Sequence, residues 1–321
     1  MRKFTNFIIL GSIFLILVGM VIFVITLSIN KWDFNVFSSS NVITNTYELT
    51  DEFYNIEIEE STCDVNITYI NEGVSKIIAK EYTNRVQVIE VIDNTLKIKE
   101  EDNRAWYEKL FDFVDLEMTI YLNINELDKL NINISTGDVD ISDKFIFNYV
   151  TINGSTADVD FNGKVNEDLK IDLSTGDIEL NNVICNNLDV KVSTGDIEIE
   201  NLNCNSSLSI KVSTGKVNLN NVKSNDFYSS GSTGRINLTN VLVHNVMIIE
   251  RDTGDVKFDK CDAGEIKVKT STGDVEGTLL SNKIFNVDTD TGKKKVPESV
   301  SGGKCNITTD TGDVIIEIIS K

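Results

Sequence analysis

Polar and apolar residues alternate in short runs over most of the chain, and the runs stop at regularly spaced clusters of small polar residues. Before one such cluster, Leu169, Ile171 and Leu173 alternate with polar residues, and Ile178 and Leu180 continue the alternation after it. A period of two residues predicts short β-strands that bury one face. The chain is therefore predicted to be built mainly from β-strands.

The clusters are copies of one motif, Ser-Thr-Gly-Asp followed by an apolar residue, in which Asp replaces the Ser in some later copies. The third residue of each copy recurs after 19 or 20 residues. The copies are STGDVDI (135–141), STADVDF (155–161), STGDIEL (174–180), STGDIEI (193–199), STGKVNL (213–219), STGRINL (232–238), DTGDVKF (252–258), STGDVEG (271–277), DTGKKKV (290–296) and DTGDVII (310–316). A related heptapeptide, STCDVNI at 61–67, is expected to stand apart from this series.

Each motif is predicted to be a tight turn, because glycine adopts positive φ readily and Asp accepts hydrogen bonds from the nearby backbone. The predicted turn glycines are Gly137, Gly176, Gly195, Gly215, Gly234, Gly254, Gly273, Gly292 and Gly312. Asn recurs at one later position of the repeat, where we expect a second corner and a ladder of hydrogen bonds from one repeat to the next. The predicted ladder consists of Asn182, Asn201, Asn221 and Asn240.

The uniform spacing favours an all-β fold, a single-stranded β-solenoid with parallel strands and rungs of 19–20 residues. One rung alone cannot fold, since each ordered residue costs about 1–2 kcal/mol of backbone entropy. Stacked rungs share their hydrogen bonds and their core. A series of antiparallel hairpins with Thr-Gly loops is the alternative, because alternation alone does not exclude it. In the solenoid, residues 291–303 are expected to form a loop and residues 313–321 the last strand.

Residues 7–29 carry no charge and are long enough to cross a bilayer at about 1.5 Å per residue. No small-x-small cleavage site follows, so we predict an uncleaved transmembrane helix, with a cleaved signal peptide as the alternative. Arg2 and Lys3 place the N-terminus in the cytoplasm, which makes this a single-pass protein of the cell membrane with an extracytoplasmic C-terminal part. The predicted organisation is a cytoplasmic N-terminus (1–6), the transmembrane helix (7–29), a linker (30–42), a β region that caps or leads into the solenoid (43–127) and the solenoid repeats (128–321).

The chain is strongly acidic, with 30 basic and 50 acidic residues and a net charge of -20. Such a surface repels nucleic acids and anionic lipid headgroups, so no nucleic-acid partner is expected. The expected partners are the membrane, through the N-terminal anchor, and a protein or glycan ligand of the envelope or cell surface. No cofactor is predicted.

Two features suggest catalysis, and neither is convincing. Asp-Thr-Gly at Asp252, Asp290 and Asp310 is the triplet of aspartic proteases, in which two carboxylates share a proton. Most copies carry Ser in place of that Asp, and a catalytic Asp cannot be exchanged for Ser without losing its proton chemistry, whereas a turn residue can. His244, the single histidine, falls between repeats and is interpreted as a bystander. No catalytic residue is predicted.

The residues after the turn glycines are predicted to stack into a column of aspartates. Within it, Asp177 and Asp196 are candidate Ca²⁺ ligands, although Lys216 and Arg235 interrupt the column and favour a structural role for the turns. Two cysteines, Cys185 and Cys204, occupy equivalent positions and should stack. They form either a disulfide bond or two buried thiols.

Three stretches together resemble the bacterial putative-adhesin β-repeat family, a domain family of unknown function with an N-terminal membrane segment. They are TLKI at 95–98, LEMTIYL at 116–122 and the serial STGD(V/I) rungs after residue 130. The resemblance covers residues 43–321. It implies a right-handed β-helix-like fold at the cell envelope and brings no catalytic residues. This sequence departs from the family by the aromatic insertion DNRAWYEKLFDF at 102–113, interpreted as a hydrophobic flap or a small contact patch.

These observations lead to one favoured function and two alternatives. The favoured hypothesis is a membrane-anchored, extracytoplasmic and non-catalytic β-solenoid that acts as an adhesin or protein-interaction scaffold at the bacterial cell envelope. The main alternative is an accessory or sensory subunit of an envelope-stress system that acts through a partner membrane protein. A polysaccharide-processing β-helix enzyme is the third class, but it would need carboxylates or basic residues clustered on one rung face.

Overall fold

This computed structural model describes residues 2–32, 42–104 and 116–319, with side chains from residue 9 onward. Most of the aromatic insertion predicted to be a flap or contact patch lies outside the described residues, so that interpretation stays a prediction.

A single helix, α1 (Arg2–Ile29), opens the described part of the chain. Its stretch Ile9–Ile29 has 21 residues and is long and apolar enough to cross a membrane. Phe14 and Leu15 are 66% and 70% exposed, which is unlike the core helix of a soluble protein. The helix ends where the backbone N–H of Trp32 donates to the carbonyl of Leu27 at 2.7 Å. This helix is compatible with a membrane anchor or a signal sequence.

Strands make up nearly all the rest of the described chain. The first are β1 (Val42–Glu48), β2 (Asn55–Thr62), β3 (Asp64–Tyr69), β4 (Lys76–Tyr82), β5 (Arg85–Ile92), β6 (Thr95–Asp102) and β7 (Glu117–Leu122). The repeats follow as β8 (Glu126–Thr136), β9 (Val139–Ile141), β10 (Ile146–Thr156), β11 (Val159–Thr175), β12 (Ile178–Thr194), β13 (Ile197–Thr214), β14 (Val217–Thr233), β15 (Ile236–Thr253) and β16 (Val256–Thr272). The last are β17 (Val275–Leu279), β18 (Lys283–Thr291), β19 (Lys294–Lys295), β20 (Gly303–Thr311) and β21 (Val314–Ile318).

Consecutive repeats stack in parallel and in register. For example, Leu188 of β12 lies beside Leu208 of β13, and Leu208 lies beside Phe227 of β14. The pairing confirms the predicted β-solenoid and shows that the alternative of antiparallel hairpins is wrong for the repeats. The solenoid has about ten turns.

The interior of the solenoid is filled by the alternating apolar residues. In β12 the buried inward side chains are Ile178, Leu180, Val183, Cys185, Leu188, Val190 and Val192. Full burial of such a side chain stabilises the fold by about 1.5–3 kcal/mol, so a rung gains most from having a neighbour on each side. Two further corners interrupt the alternation, one at Asn182 with φ 54° and one after Cys185, where the register with the next rung shifts.

The N-terminal end of the solenoid is not built in sequence order. Strands β2 and β3, which flank the turn at Cys63, pair in parallel with β8 and β9 on one side and with β6 and β7 on the other. The heptapeptide STCDVNI is therefore a full member of the turn column, and the expectation that it stands apart is wrong. Along the sequence, β2 and β3 come first. Strands β6 and β7 then pair on the outer side of this rung, and β8 and β9 pair on its inner side.

A layer of antiparallel strands covers this end. Strand β4 pairs antiparallel with β7, and β1 with β4, while β5 pairs antiparallel with β6. Antiparallel strands at the end of the parallel stack cover edges that would otherwise be open to pairing with another chain.

The C-terminal end shows the same departure from sequence order. Strand β20 lies between β16 and β18, and β21 lies between β17 and β19. The outermost rung is thus β18–β19, and the last strands of the chain are inserted beneath it. The expectation of a loop over residues 291–303 is wrong in part, because β19 lies within this range and pairs with β21. Strand β21 is the last strand in sequence, but it does not belong to the outermost rung.

Candidate functional site

The turns form one column along the solenoid, and the column is closely packed. In spatial order its third positions are Cys63, Gly137, Ala157, Gly176, Gly195, Gly215, Gly234, Gly254, Gly273, Gly312 and Gly292. The nine glycines have φ between 132° and 156°. A Cβ on Gly195 would lie 1.9 Å from the carbonyl oxygen of Gly176, and a Cβ on Gly215 1.8 Å from that of Gly195. Both the backbone conformation and the contact with the next rung therefore require glycine.

The carboxylates of the turn hold the backbone of the next rung. Asp177 accepts a hydrogen bond from the backbone N–H of Asp196 at 2.7 Å, and Asp196 accepts one from Lys216 at 2.7 Å. The predicted Ca²⁺ candidates thus each have one carboxylate oxygen bound to a backbone N–H. Across the described residues, no group of three or more His, Cys, Asp or Glu side chains is arranged to hold a metal ion.

The three residues of the protease-like triplets lie on the surface. Asp252, Asp290 and Asp310 are exposed, and Asp290 and Asp310 occupy equivalent positions of the neighbouring strands β18 and β20. They therefore project side by side from one face and do not face each other across a cleft, as a catalytic pair would. His244 is also exposed.

The Asn corner has a uniform backbone conformation. Asn182, Asn201, Asn221 and Asn240 have φ between 52° and 58°. The side-chain amide of Asn201 donates to Asn182 at 3.1 Å, and that of Asn221 donates to Asn201 at 2.7 Å. Asn tolerates this left-handed conformation better than most residues, so the corner combines a backbone requirement with bonds between rungs.

The two stacked cysteines are free thiols. Cys185 and Cys204 are neighbours in the register of β12 and β13, and each is 1% exposed. The thiol of Cys204 lies 3.2 Å from the carbonyl oxygen of Ser207 and 3.3 Å from that of Asn186. Of the two alternatives, a disulfide bond or two buried thiols, the structure has the two buried thiols.

An acidic ladder runs up the face that follows the turn column. We use this name for Asp140, Asp160, Glu179 and Glu198, which lie directly beside one another on successive strands. All four are exposed, and none forms an ion pair with another described residue. Burial and the charge of Asp140 raise the pKa of Asp160, and the charge of Asp160 raises the pKa of Glu179. The carboxylates of the acidic ladder therefore repel one another.

A buried polar cluster lies where β2, β5 and β6 meet, and sequence reasoning missed it. Arg85 donates to the carbonyl of Thr62 at 2.9 Å and forms an ion pair with Glu100 at 2.5 Å. Glu60 is 5% exposed, and burial, followed by the charge of Glu100, raises its pKa to about 8. The signal in the sequence was the break in alternation at Glu59-Glu60, where an acidic residue takes an inward position.

A second missed feature is Arg251, which is 5% exposed at an inward position of β15. The residues beside it in the neighbouring rungs are Gly231 and Thr270, and the next one beyond Gly231 is Val212. Leu173, Val192 and Val212 occupy this position in the three rungs before Gly231, so the change to Gly and then Arg could have been found by aligning the repeats.

The fold and its turn column define a β-solenoid whose exposed side chains form columns from rung to rung. The chain belongs to the family described as Toastrack DUF4097, whose model matches residues 49–207 and 203–321. This confirms the resemblance to the putative-adhesin β-repeat family. No curated protein matches the chain.

Two solved structures from Parabacteroides distasonis share this fold at low sequence identity. A putative lipid binding protein from Parabacteroides distasonis is 18% identical with a TM-score of 0.52, and the match covers 76% of this chain and 98% of that chain. A putative adhesin from the same species is 12% identical with a TM-score of 0.51, covering 85% of this chain and 98% of that chain. A putative adhesin from Bacteroides fragilis is 17% identical with a TM-score of 0.43, covering 74% of this chain and 96% of that chain.

Proposed function

We propose that this protein is a membrane-anchored scaffold outside the cytoplasm, which binds ligands of the bacterial cell envelope as an adhesin or protein-interaction module and is not an enzyme. One observation carries the proposal: equivalent exposed positions of successive rungs form continuous columns of like chemistry, such as the acidic ladder. A rigid column with a regular spacing suits an extended ligand that repeats the same contact.

The N-terminal helix supports anchoring. Arg2 and Lys3 precede its apolar stretch Ile9–Ile29. Positive residues are retained on the cytoplasmic side of a membrane helix, so the solenoid would lie outside the cytoplasm.

The surface chemistry supports binding in place of catalysis. The protease-like aspartates project side by side, and the exposed side chain of His244 forms no hydrogen bond or ion pair with another described residue. The names of the similar structures, two putative adhesins and a putative lipid binding protein, agree with a binding role.

Photo-crosslinking in intact cells tests the proposal. A benzophenone amino acid is placed at Glu198 on the acidic ladder, and in a second variant at Lys211, an exposed residue on the other side of the turn column. We expect one of these two positions to capture a surface protein or glycan and the other to capture much less. Capture of one co-purifying membrane protein through α1 alone would favour the accessory-subunit alternative. Turnover of an envelope glycan by the purified protein would contradict a non-catalytic role.

A further inference from the structure

Arg251 occupies an inward position that strands β11, β12 and β13 fill with Leu173, Val192 and Val212. Its guanidinium lies against Gly231: a Cβ on Gly231 would be 2.7 Å from Nη1 and 3.2 Å from Cζ of Arg251. The neighbouring rung beyond Gly231 has Val212 at this place. The missing side chain of Gly231 therefore makes room for the guanidinium.

The guanidinium is only partly satisfied by the protein. Nη2 donates to Oγ of Ser229 at 2.8 Å, and Nη1 donates to the carbonyl oxygen of Glu250 at 3.2 Å. A guanidinium has five N–H donors, so others remain for a ligand. Within the described residues, no carboxylate forms an ion pair with Arg251. Burial lowers its pKa to about 10, so the group is still charged at neutral pH.

Arg251 lies in the wall of an open cleft of about 490 Å³. Lysines and hydroxyl groups line it in rows that follow the rungs. They are Lys191, Lys211 and Lys269, and Ser193, Ser213, Ser230, Ser232 and Ser271. Lys191 is paired with Asp172 at 2.9 Å, whereas Lys211 and Lys269 form no ion pair with another described residue.

Two carboxylates also line the cleft and limit what it can bind. They belong to Glu250, which accepts a hydrogen bond from the hydroxyl of Tyr228 at 3.2 Å, and to Asp252. Because Asp172 neutralises Lys191, three cations face two carboxylates, which leaves a small positive excess on a protein with a net charge of -20. A polyanion would be repelled by the whole molecule, and a dianionic phosphate would be repelled by Glu250 and Asp252 more strongly than a monoanion.

We propose that this cleft binds a saccharide that carries one carboxylate, such as a uronic acid. The planar guanidinium of Arg251 matches a carboxylate in a two-bond geometry, and Lys211 and Lys269 add attraction from the rim. The serine hydroxyls both donate and accept hydrogen bonds, as the hydroxyl groups of a sugar require, and they are spaced at about 4.8 Å by the stacking of strands.

This inference rests on the proposal that the solenoid is a binding scaffold and names a ligand class for one of its faces. Saturation-transfer NMR on the full chain in lipid nanodiscs tests it with four probes: methyl glucuronide, methyl glucoside, acetate and inorganic phosphate. We expect saturable binding of methyl glucuronide, at least tenfold weaker binding of the other three, and loss of affinity as salt is added.

Three variants locate the site. Arg251→Thr introduces the residue that occupies the equivalent position at Thr270, and we expect it to weaken binding of methyl glucuronide at least tenfold. Lys269→Glu reverses a charge at the rim without touching the interior, and we expect a several-fold loss. Lys257→Gln, on another face and paired with Glu276 at 2.7 Å, is the matched control and should leave binding unchanged.

The thermal unfolding midpoint separates loss of the ligand from loss of the fold. Arg251→Thr also leaves the space beside Gly231 unfilled, so its unfolding midpoint should fall. Lys269→Glu leaves the interior unchanged, so loss of binding in that variant at an unchanged midpoint is assigned to the ligand. Equal binding of acetate or phosphate would overturn the saccharide assignment, as would unchanged affinity in Arg251→Thr and Lys269→Glu. Absence of methyl glucuronide binding would contradict the proposed ligand of the cleft. The proposed role of the solenoid as a binding scaffold would be contradicted only if photo-crosslinking captured no surface ligand.

Discussion

The turn glycines are the residues on which the stacking depends most directly. Each has a backbone conformation that favours glycine, and each places its Cα against a carbonyl oxygen of the next rung. The motif around them varies far more, since Ser and Asp alternate at the first place and Asp, Lys and Arg follow the glycine. The space available beside the next rung therefore restricts the residue type at this corner, and the charge of the turn residues matters less.

Substitution of Gly195 by Ala tests this steric requirement. Its φ of 153° and the contact of 1.9 Å between the new Cβ and the Gly176 carbonyl both oppose a side chain. We expect a loss of at least about 1–3 kcal/mol, the usual penalty for a strained backbone residue. Urea unfolding of the full chain measures it.

Ser193→Ala, at an exposed position of the same turn, is the control and should change the free energy of unfolding by less than about 0.5 kcal/mol. If the two variants were equally stable, the close contact would not be limiting.

The acidic ladder predicts a variant that gains stability. Asp160 lies between Asp140 and Glu179 on adjacent strands, and like charges in that arrangement are destabilising. We expect Asp160→Asn to raise the stability by about 0.2–1 kcal/mol at pH 7. The thermal unfolding midpoint is measured at pH 7 and at pH 3, where protonation should remove the difference.

Asp172→Asn is the matched control, because Asp172 is paired with Lys191 at 2.9 Å. This variant should show no gain at pH 7. A gain of similar size in both variants would mean that net charge, and not the ladder, is responsible.

Glu60 predicts how the stability changes with pH. Its pKa is raised from 4.5 to about 8, so the folded chain retains a proton that the unfolded chain loses as the pH rises above 4.5. Its contribution to stability is therefore full at low pH and is lost as the pH rises towards 8. We expect the unfolding midpoint to fall between pH 5 and pH 8.5, by about 2–4 °C for each kcal/mol lost.

Glu60→Gln should make the unfolding midpoint less dependent on pH over this range and raise it at pH 8.5. The neighbouring Arg85–Glu100 pair stays in place as an internal reference. A pH dependence that is unchanged in the variant would assign the titration to another group.

At the scale of elements, the rungs at both ends of the solenoid are displaced from their sequence order. The middle of the stack was predictable from the sequence, because the motif returns at constant spacing and each copy pairs with the next. The ends were not predictable. The copies at 290–296 and 310–316 carry the same turn chemistry, and nothing in their side chains says which of them contacts the copy at 271–277. That choice depends on tertiary packing, as does the return of the chain past β2 and β3.

Truncation of the chain after Gly302 tests the order of the C-terminal rungs. The shortened chain lacks β20 and β21, which separate β18 from β16 in the full structure. We expect the backbone amides of β18 to exchange rapidly with deuterium in this variant, since their hydrogen-bonding partners are gone.

Deletion of residues 282–302 is the matched control. It removes the outermost rung and restores between Leu279 and Cys305 the spacing that Cys261 and Ile266 have in the preceding rung. The amides of β20 should stay protected in this variant. Protected β18 amides after the truncation would show that β18 can stack on β16 directly.

At the scale of the whole molecule, the 50 acidic residues outnumber the 30 basic ones, and such an excess attracts cations. The turn aspartates Asp177 and Asp196 already accept backbone hydrogen bonds, which explains their place in the column without a metal. We therefore expect about 5 mM Ca²⁺, which exceeds the dissociation constants of about 0.1–1 mM typical of extracellular calcium modules, to leave the unfolding midpoint of the full chain unchanged relative to EDTA.

Sodium chloride of equal ionic strength is the control, because any salt screens the net charge of -20. A saturable rise of the midpoint with Ca²⁺ that sodium does not reproduce, and that Asp177→Asn abolishes, would assign a calcium site to the column.

The sequence was informative about the molecule wherever one repeat resembled the next, and uninformative where a rung differed. The turn glycines, the Asn corner and the stacked cysteines could be placed from spacing alone. Arg251 and Glu60 each left a signal, a charged residue at an inward position, but the sequence does not show what accommodates the charge: Gly231 and Ser229 for Arg251, and the cluster with Arg85 and Glu100 for Glu60. Arg251 and Glu60 both belong to the set of buried charged residues, which also includes Glu81, Arg85 and Lys283.

The displaced outer rungs leave the central rungs free to vary in number. Each end is closed by its own device, with β4–β7 at one end and β18–β21 at the other, and neither device includes the rungs from β11 to β15. Duplication or loss of one coding unit of 19 or 20 residues in the middle would lengthen or shorten the rod by a single rung, about 4.8 Å, without reopening either end. Such a gene can adjust the length of its product in small, equal steps.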